Sequence, residues 1–195
     1  MQHHGSPTRL VDITYSIYVA LYFALWKYKA GQKAAVWCFN NKWLIAGWNE
    51  APPPGYKREL DRDNEGRYIK LFKIVFESNK PKVYLINPYP LPEQLVLQQG
   101  GFLMPLDITS SFMENLWHMP PHPRGMKGRR KVDLRIVKLK LQFNESDLKE
   151  VRYRLHRMNI NNATLFPGLD GFARSLHDHI PFTEQRAGFK KGFKK

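Results

Sequence analysis

The chain has 195 residues, 43% hydrophobic and 13% aromatic, which is enough apolar content for one domain with a sizeable core and too much for a disordered polypeptide. Its net charge of +14 points to anionic partners, and a single cysteine, Cys38, excludes an internal disulfide framework and fits a reducing compartment. The apolar run from Tyr15 to Trp26 is far shorter than the roughly 20 residues of a membrane span. The start Met1-Gln2-His3-His4 is too polar for a signal peptide, so a cytoplasmic protein without a membrane partner is expected.

The amino-terminal polar cluster leads into the first element. A Gly5-Ser6-Pro7 corner precedes a short strand at Leu10-Val11, after which Asp12, Thr14 and Ser16 offer oxygens to a helix start. From Ile17 to Trp26 the residues are apolar on every side, which predicts a buried helix ended near Gly31. Ala34 to Asn40 reads as a buried strand, and Trp43 to Trp48 as a second strand or a short helix. Ala51-Pro52-Pro53-Pro54-Gly55 breaks regular structure, and the charged residues 56–67 read as an exposed insertion. Tyr68 to Phe76 fits an edge strand or a short helix, Lys82 to Ile86 a strand, and Phe102 to Met104 another.

Further along, Thr109 or Ser110 is expected to cap a helix from Phe112 to Trp117, and His118 to Lys131 to form a basic, proline-rich loop. Val132 to Leu141 approximates the alternation of a half-exposed strand. Asn144 or Ser146 should cap a helix from Asp147 to Met158, whose apolar stripe is Leu148, Val151, Leu155 and Met158. Residues 163–170 read as a loop and Gly171 to His179 as a last helix. These elements predict an α+β fold with a mixed or antiparallel sheet and packed helices, in one domain over residues 1–180, followed by a basic, disordered tail at 181–195.

Few of the familiar chemistries have support in these residues. The histidines lack the companions and spacing of a zinc site, and no metal is expected. Cys38 sits in an apolar strand, and there is neither a nucleophile elbow nor a Walker loop. Two features stand out instead. A helix start carrying His, Arg, Asp, Thr and Ser suits an anionic ligand. At Gln98-Gln99-Gly100-Gly101 two adjacent amides on an extended segment would face opposite ways, so that one at most enters a given cleft, and glycine lets the chain bend. The competing readings are helix capping for the first and a structural turn for the second.

Gln2-His3-His4-Gly5-Ser6-Pro7-Thr8-Arg9-Leu10-Val11-Asp12-Ile13-Thr14-Tyr15-Ser16, followed by Val19 to Ala24, resembles the central signature of FRG domains, a family named for a Phe-Arg-Gly motif. Glu93 to Leu103 and Met158 to Leu176 resemble two later stretches of that family, in the same order. The resemblance implies that the part of the domain bearing the Phe-Arg-Gly motif is missing here or supplied by a partner chain. The family has a suspected distant similarity to ADP-ribosyltransferases, which implies by analogy a transferase-like fold, with Thr14-Tyr15-Ser16 as its middle element and Gln98-Gln99 in the place of its last. A glutamine stands where the transferases carry a glutamate, so turnover is left open while NAD remains a candidate substrate.

On this reading a nucleotide-like ligand occupies a cleft built from residues 2–16 and 98–102. His3, Asp12 and Gln99 are the catalytic candidates, and Gln2, His4, Arg9, Thr14, Ser16, Gln98 and Gly100 the ligand-binding ones, with Arg9 on phosphate. One alternative is a nucleic-acid-binding module that uses the basic segments 124–131 and 186–195 through phosphate contacts. The other is a noncatalytic interaction domain of a prokaryotic or phage-associated defence system.

Overall fold

A computed structural model describes residues 8–49, 81–87, 91–119 and 135–177. The readings of residues 51–67 and 68–76, the basic segments and the tail lie outside these, as do Gln2, His3 and His4. The described elements are mixed helix and strand in small sheets, in keeping with the α+β expectation. They sort into two compact units, each assembled from three separate stretches of chain.

The first unit contains Met1–Ile13, Trp37–Pro88 and Gly101–Val137. Its sheet has the order β1 (Val11–Thr14), β4 (Gly100–Pro105), β3 (Val83–Ile86). β3 and β4 run antiparallel in the register Val83 to Pro105 through Ile86 to Phe102. Gly101 sits at a close approach, since a Cβ there would stand 3.0 Å from Asn87 Oδ1 and 3.2 Å from the Ile86 carbonyl. Helices α2 (Asn41–Asn49) and α4 (Phe112–Trp117) pack on β3. Trp43, Leu44, Val83, Leu103, Leu116 and Met119 form the core there.

Helix starts in this unit follow local chemistry. The Asn40 side chain accepts from Trp43 N–H at 3.1 Å, which selects helix over strand for the following residues. At α4 the cap is Ser111, not Thr109 or Ser110. Ser111 and Glu114 form a capping box. Both expected caps instead donate their hydroxyls to the Asp107 carboxylate, closing the turn ahead of the helix. Asn115, fully buried, accepts from the N–H groups of Lys82 and Asp107 and donates to the carbonyls of Asp107 and Ser111, so it satisfies a backbone turn that water cannot reach.

The second unit contains Thr14–Val36, Tyr89–Gly100 and Lys138–Lys195. Helix α1 (Ile17–Leu25) packs on α5 (Glu145–Arg157) around Leu25, Tyr28 and Leu148. Arg152 ties the two by donating to the carbonyls of Leu25 and Tyr28 at 3.1 and 2.9 Å. The expected burial of α1 on every side does not hold: only Val19 and Leu25 are buried, and Ile17, Tyr18 and Phe23 are exposed. The helix is short, and its outer aromatics pack sideways on one another rather than into a core. Phe23 stacks on Trp26, and Trp26 meets Phe166 edge-on at 4.9 Å.

β2 (Ala34–Phe39) pairs with β5 (Ile136–Leu141), and of β2 only Val36 is buried, so this strand too is less enclosed than its composition suggests. Asn144 caps α5, accepting from Asp147 N–H at 2.8 Å. Leu148 and Leu155 of the expected stripe are buried, whereas Met158 is exposed. The expected loop at 163–170 contains a helical turn, α6 (Asn162–Leu165), because Asn161 and Thr164 form a capping box. Helix α7 (Leu169–His177) follows, starting two residues before the expected Gly171. Helix α3 (Glu93–Leu97) completes the unit and packs against α6. Among the described residues no helix is long and apolar enough to cross a membrane.

Candidate functional site

The second unit holds a cleft of about 540 Å³ lined by Ser16, Tyr18, Val19, Leu97, Gln99, Met158, Asn159, Ile160, Ala163, Thr164 and Leu165. Three stretches distant in sequence meet in it: the entry to α1, the end of α3 and the α5–α6 connection. Its size is that of an ordinary small-molecule site, and its wall alternates apolar contact with hydroxyls and amides.

Hydrogen bonds hold the three walls together. Thr14 Oγ1 donates to the Gln98 carbonyl at 2.8 Å and accepts from Ser16 N–H at 3.0 Å, while Tyr15 N–H donates to the Gln99 carbonyl at 2.9 Å. Ser16 then caps α1, accepting from Val19 N–H at 3.4 Å. The Gln98 side chain is buried and its Nε2 donates to the Leu165 carbonyl at 3.0 Å, which fastens α6 to the end of α3. The Thr164 hydroxyl donates to the Asn159 carbonyl at 2.6 Å and closes the third wall.

Two residues in this cleft depart from ordinary backbone. Gln99, at φ 48°, and Asn159, at φ 62°, are the non-glycine residues with left-handed conformation among those described, and both line it. Asparagine tolerates that region after a helix end; glutamine gains nothing local from it. Gly100, which could adopt it at no cost, instead opens β4. The chain at 98–99 is therefore a helix end rather than the extended segment expected from sequence. The two amides still separate, Gln98 inward to a structural bond and Gln99 onto the cleft wall.

The sequence-selected residues divide accordingly. Ser16 and Gln99 line the cleft, Thr14 and Gln98 brace it, and Gly100 follows directly. Arg9 and Asp12 belong to the first unit. The Arg9 guanidinium donates to the carbonyls of Pro105 and Leu106, and burial lowers its pKa below the ordinary arginine value. Both bonds leave from one nitrogen, Nη2, and reach main-chain oxygens of the first unit. Asp12 is exposed on β1. The contribution of Met158 to Leu165 was missed as part of the site, although the same stretch carries the third family-like signature and its Asn159-Ile160-Asn161-Asn162 run signals a turn rich in hydrogen-bonding groups.

Among the described lining residues there is no carboxylate, histidine, lysine or arginine. Neutral hydroxyls and amides can orient sugar hydroxyls and base edges by donating and accepting together, and they do not compete with a bound proton. Of the described lining side chains, the Tyr18 phenol is the one of a type that serves in general acid–base work. Among the described residues, no group of three or more histidine, cysteine or acidic side chains is placed to hold a metal.

Comparison with curated proteins and with solved structures returns no match for this chain. A family comparison does: residues 1–33, which include Ser16, Tyr18 and Val19 of the cleft wall, match the FRG domain. The similarity to the FRG domain covers the segment that leads into α1 and the helix itself.

Proposed function

We propose that this protein binds a nucleotide-like ligand, with NAD as the first candidate, in the cleft between the entry to α1, the Gln98-Gln99 helix end and the Met158–Leu165 connection. The observation that carries this reading is the convergence of three separate stretches on one cleft whose wall holds, among the described residues, both left-handed non-glycine ones, Gln99 and Asn159. Of the two, Gln99 is the strained one, and backbone of that kind persists where surrounding structure imposes it and clusters at ligand sites.

The division of labour follows from the chemistry. Ser16, Gln99 and Asn159 offer the donors and acceptors that a ribose and a base edge require, and Val19, Leu97, Ile160 and Leu165 offer flat apolar contact to a ring. The start of α1 supplies first-turn N–H groups and the positive end of its dipole to a negatively charged substituent. ADP-ribosyl transfer remains the finer form of this proposal and would need charged groups beyond the described wall, His3 among them.

Titration calorimetry of the full chain with NAD, and separately with adenosine and nicotinamide mononucleotide, tests the reading. Saturable binding of NAD and of at least one fragment is expected. Absence of heat and of competition from all three would reject it.

A further inference from the structure

A second groove, of about 410 Å³, lies at the carboxy-terminal end of α1 and shares no lining residue with the cleft. One side of it is aromatic. The Phe23 and Trp26 rings lie near-parallel, at 18°, with centroids 5.8 Å apart. Tyr22 and Phe166 each meet both rings edge-on, which fixes the pair in place, while Phe23 keeps 38% of its surface exposed. The other side is the turn after the helix, which brings Lys27, Gln32 and Lys33 to the groove.

That turn is tied on several sides. Tyr28, buried, donates its hydroxyl to the Gln32 carbonyl and accepts from Phe143 N–H at 2.9 Å. Gly31 N–H donates to the Phe143 carbonyl at 2.9 Å, and Gln32 Oε1 accepts from Lys29 N–H at 2.9 Å. Arg152 holds the carbonyls of Leu25 and Tyr28. A backbone ordered in advance presents its cations without a further ordering cost on binding. The charge is of one sign. Residues 13–49 contain Lys27, Lys29, Lys33 and Lys42 and no carboxylate, and none is among the described lining residues. On the neighbouring α5, Glu145 and Glu150 meet cations of their own helix, Lys149 at 3.7 Å and Arg154 at 2.7 Å.

Fixed aromatic rings beside a positive edge match a ligand that carries planar bases on a phosphate backbone. The groove is shallow and open, whereas small-molecule sites enclose most of their ligand. We propose that the end of α1 is a binding site for single-stranded nucleic acid, with a base on Phe23 and Trp26 and the flanking phosphates on Lys27 and Lys33. A duplex keeps its bases stacked on one another and can use the lysines alone. The site is separate from the basic segments 124–131 and 186–195, and the proposal does not rest on the nucleotide reading of the cleft.

Fluorescence anisotropy of the full chain with a labelled oligothymidylate is the test. It is run with Lys190, Lys191, Lys194 and Lys195 replaced by Gln, so that these cations do not mask the groove. Saturable, salt-sensitive binding is expected, tighter than to duplex DNA of the same length. The double variant Lys27→Gln, Lys33→Gln should bind about tenfold more weakly and lower the slope of log affinity against log salt by about 1.4, the value of two phosphate contacts on a single strand. Phe23→Leu keeps an apolar side chain against Trp26 and Phe166 but removes the ring, and should weaken binding about tenfold with the salt slope unchanged. Both lysines are exposed, so their variant reports on the site without loss of fold. The proposal is overturned by absent binding, by equal binding to the duplex, or by a lysine variant with the affinity and slope of its parent. It is also overturned by a Phe23→Leu protein of unchanged melting temperature that binds as its parent does, or by thymidine monophosphate binding as tightly as the oligomer.

Discussion

The Thr14 hydroxyl reaches across 84 positions of sequence to the Gln98 carbonyl, donating at 2.8 Å while it accepts from Ser16 N–H at 3.0 Å. Gln98 passes the connection on through its side chain to the Leu165 carbonyl. One hydroxyl and one amide thus join the three walls of the cleft, and neither is available to a ligand. The groups that remain for recognition, on Ser16, Gln99 and Asn159, are positioned by this bracing.

Thr14→Val keeps the shape of the side chain and removes its hydroxyl, leaving a part-buried carbonyl and a part-buried N–H without their partner. A loss of about 1–3 kcal/mol in urea unfolding is expected. Thr14→Ser should recover most of it. Equal stability of the valine variant would show that water takes over both bonds.

Gln98→Leu fills the same space but releases α6. Its global cost should be about 1–2 kcal/mol, for the lost bond and the unpaired Leu165 carbonyl. The local readout is sharper: amide hydrogen exchange over 162–165 should speed up while that of α5 is unchanged. Uniform acceleration in both helices would mean that Gln98 supports the unit as a whole.

Gln99→Gly separates strain from use. Glycine adopts φ 48° freely, so the variant should be as stable as wild type or more stable, by up to about 1 kcal/mol. Glutamine would then be present at a conformational cost, which is the signature of a residue kept for its side chain. A clearly destabilised glycine variant would assign Gln99 a packing role instead.

Much of this arrangement was legible in the sequence and some was not. Ser16, Asn144 and the 112–117 helix could be read because capping oxygens and turn residues act within three or four positions. The adjacency of residues 14–16 and 98–99 was accessible only through a family-like pattern, since nothing local reports a bond between Thr14 and Gln98. The exposure of α1 was misread because apolar composition does not distinguish a core from aromatics that pack on one another at a surface, as Phe23 and Trp26 do. Glycine was expected to let the chain bend at 98–101, and the left-handed residue there is Gln99, directly after the Gln98 C-cap of α3, where a helix end turns the chain.

Acid should destabilise the first unit through two identifiable carboxylates. Hydrogen bonds from the Thr109 side chain, then Ser110, lower the Asp107 pKa, and those from the Ser111 backbone and side chain lower that of Glu114, with His118 adding to it. Folded pKa values below the unfolded ones mean that the stabilisation is complete above the ordinary carboxylate range and disappears as pH falls through the folded values. Melting temperature should drop on acidification from about pH 5 downward, and Asp107→Asn should flatten that slope. An unchanged slope in this variant would place the acid sensitivity elsewhere.

The most direct measurement is the affinity for NAD of wild type, Gln99→Gly and Asn159→Gly, compared by titration calorimetry on proteins of matched thermal stability. Both substitutions suit the local backbone and delete only an amide from the cleft wall. The account predicts saturable binding by wild type and a loss of about tenfold in each variant, the value of one hydrogen bond made on binding. NAD binding of equal strength in all three proteins, or none in wild type, would contradict it.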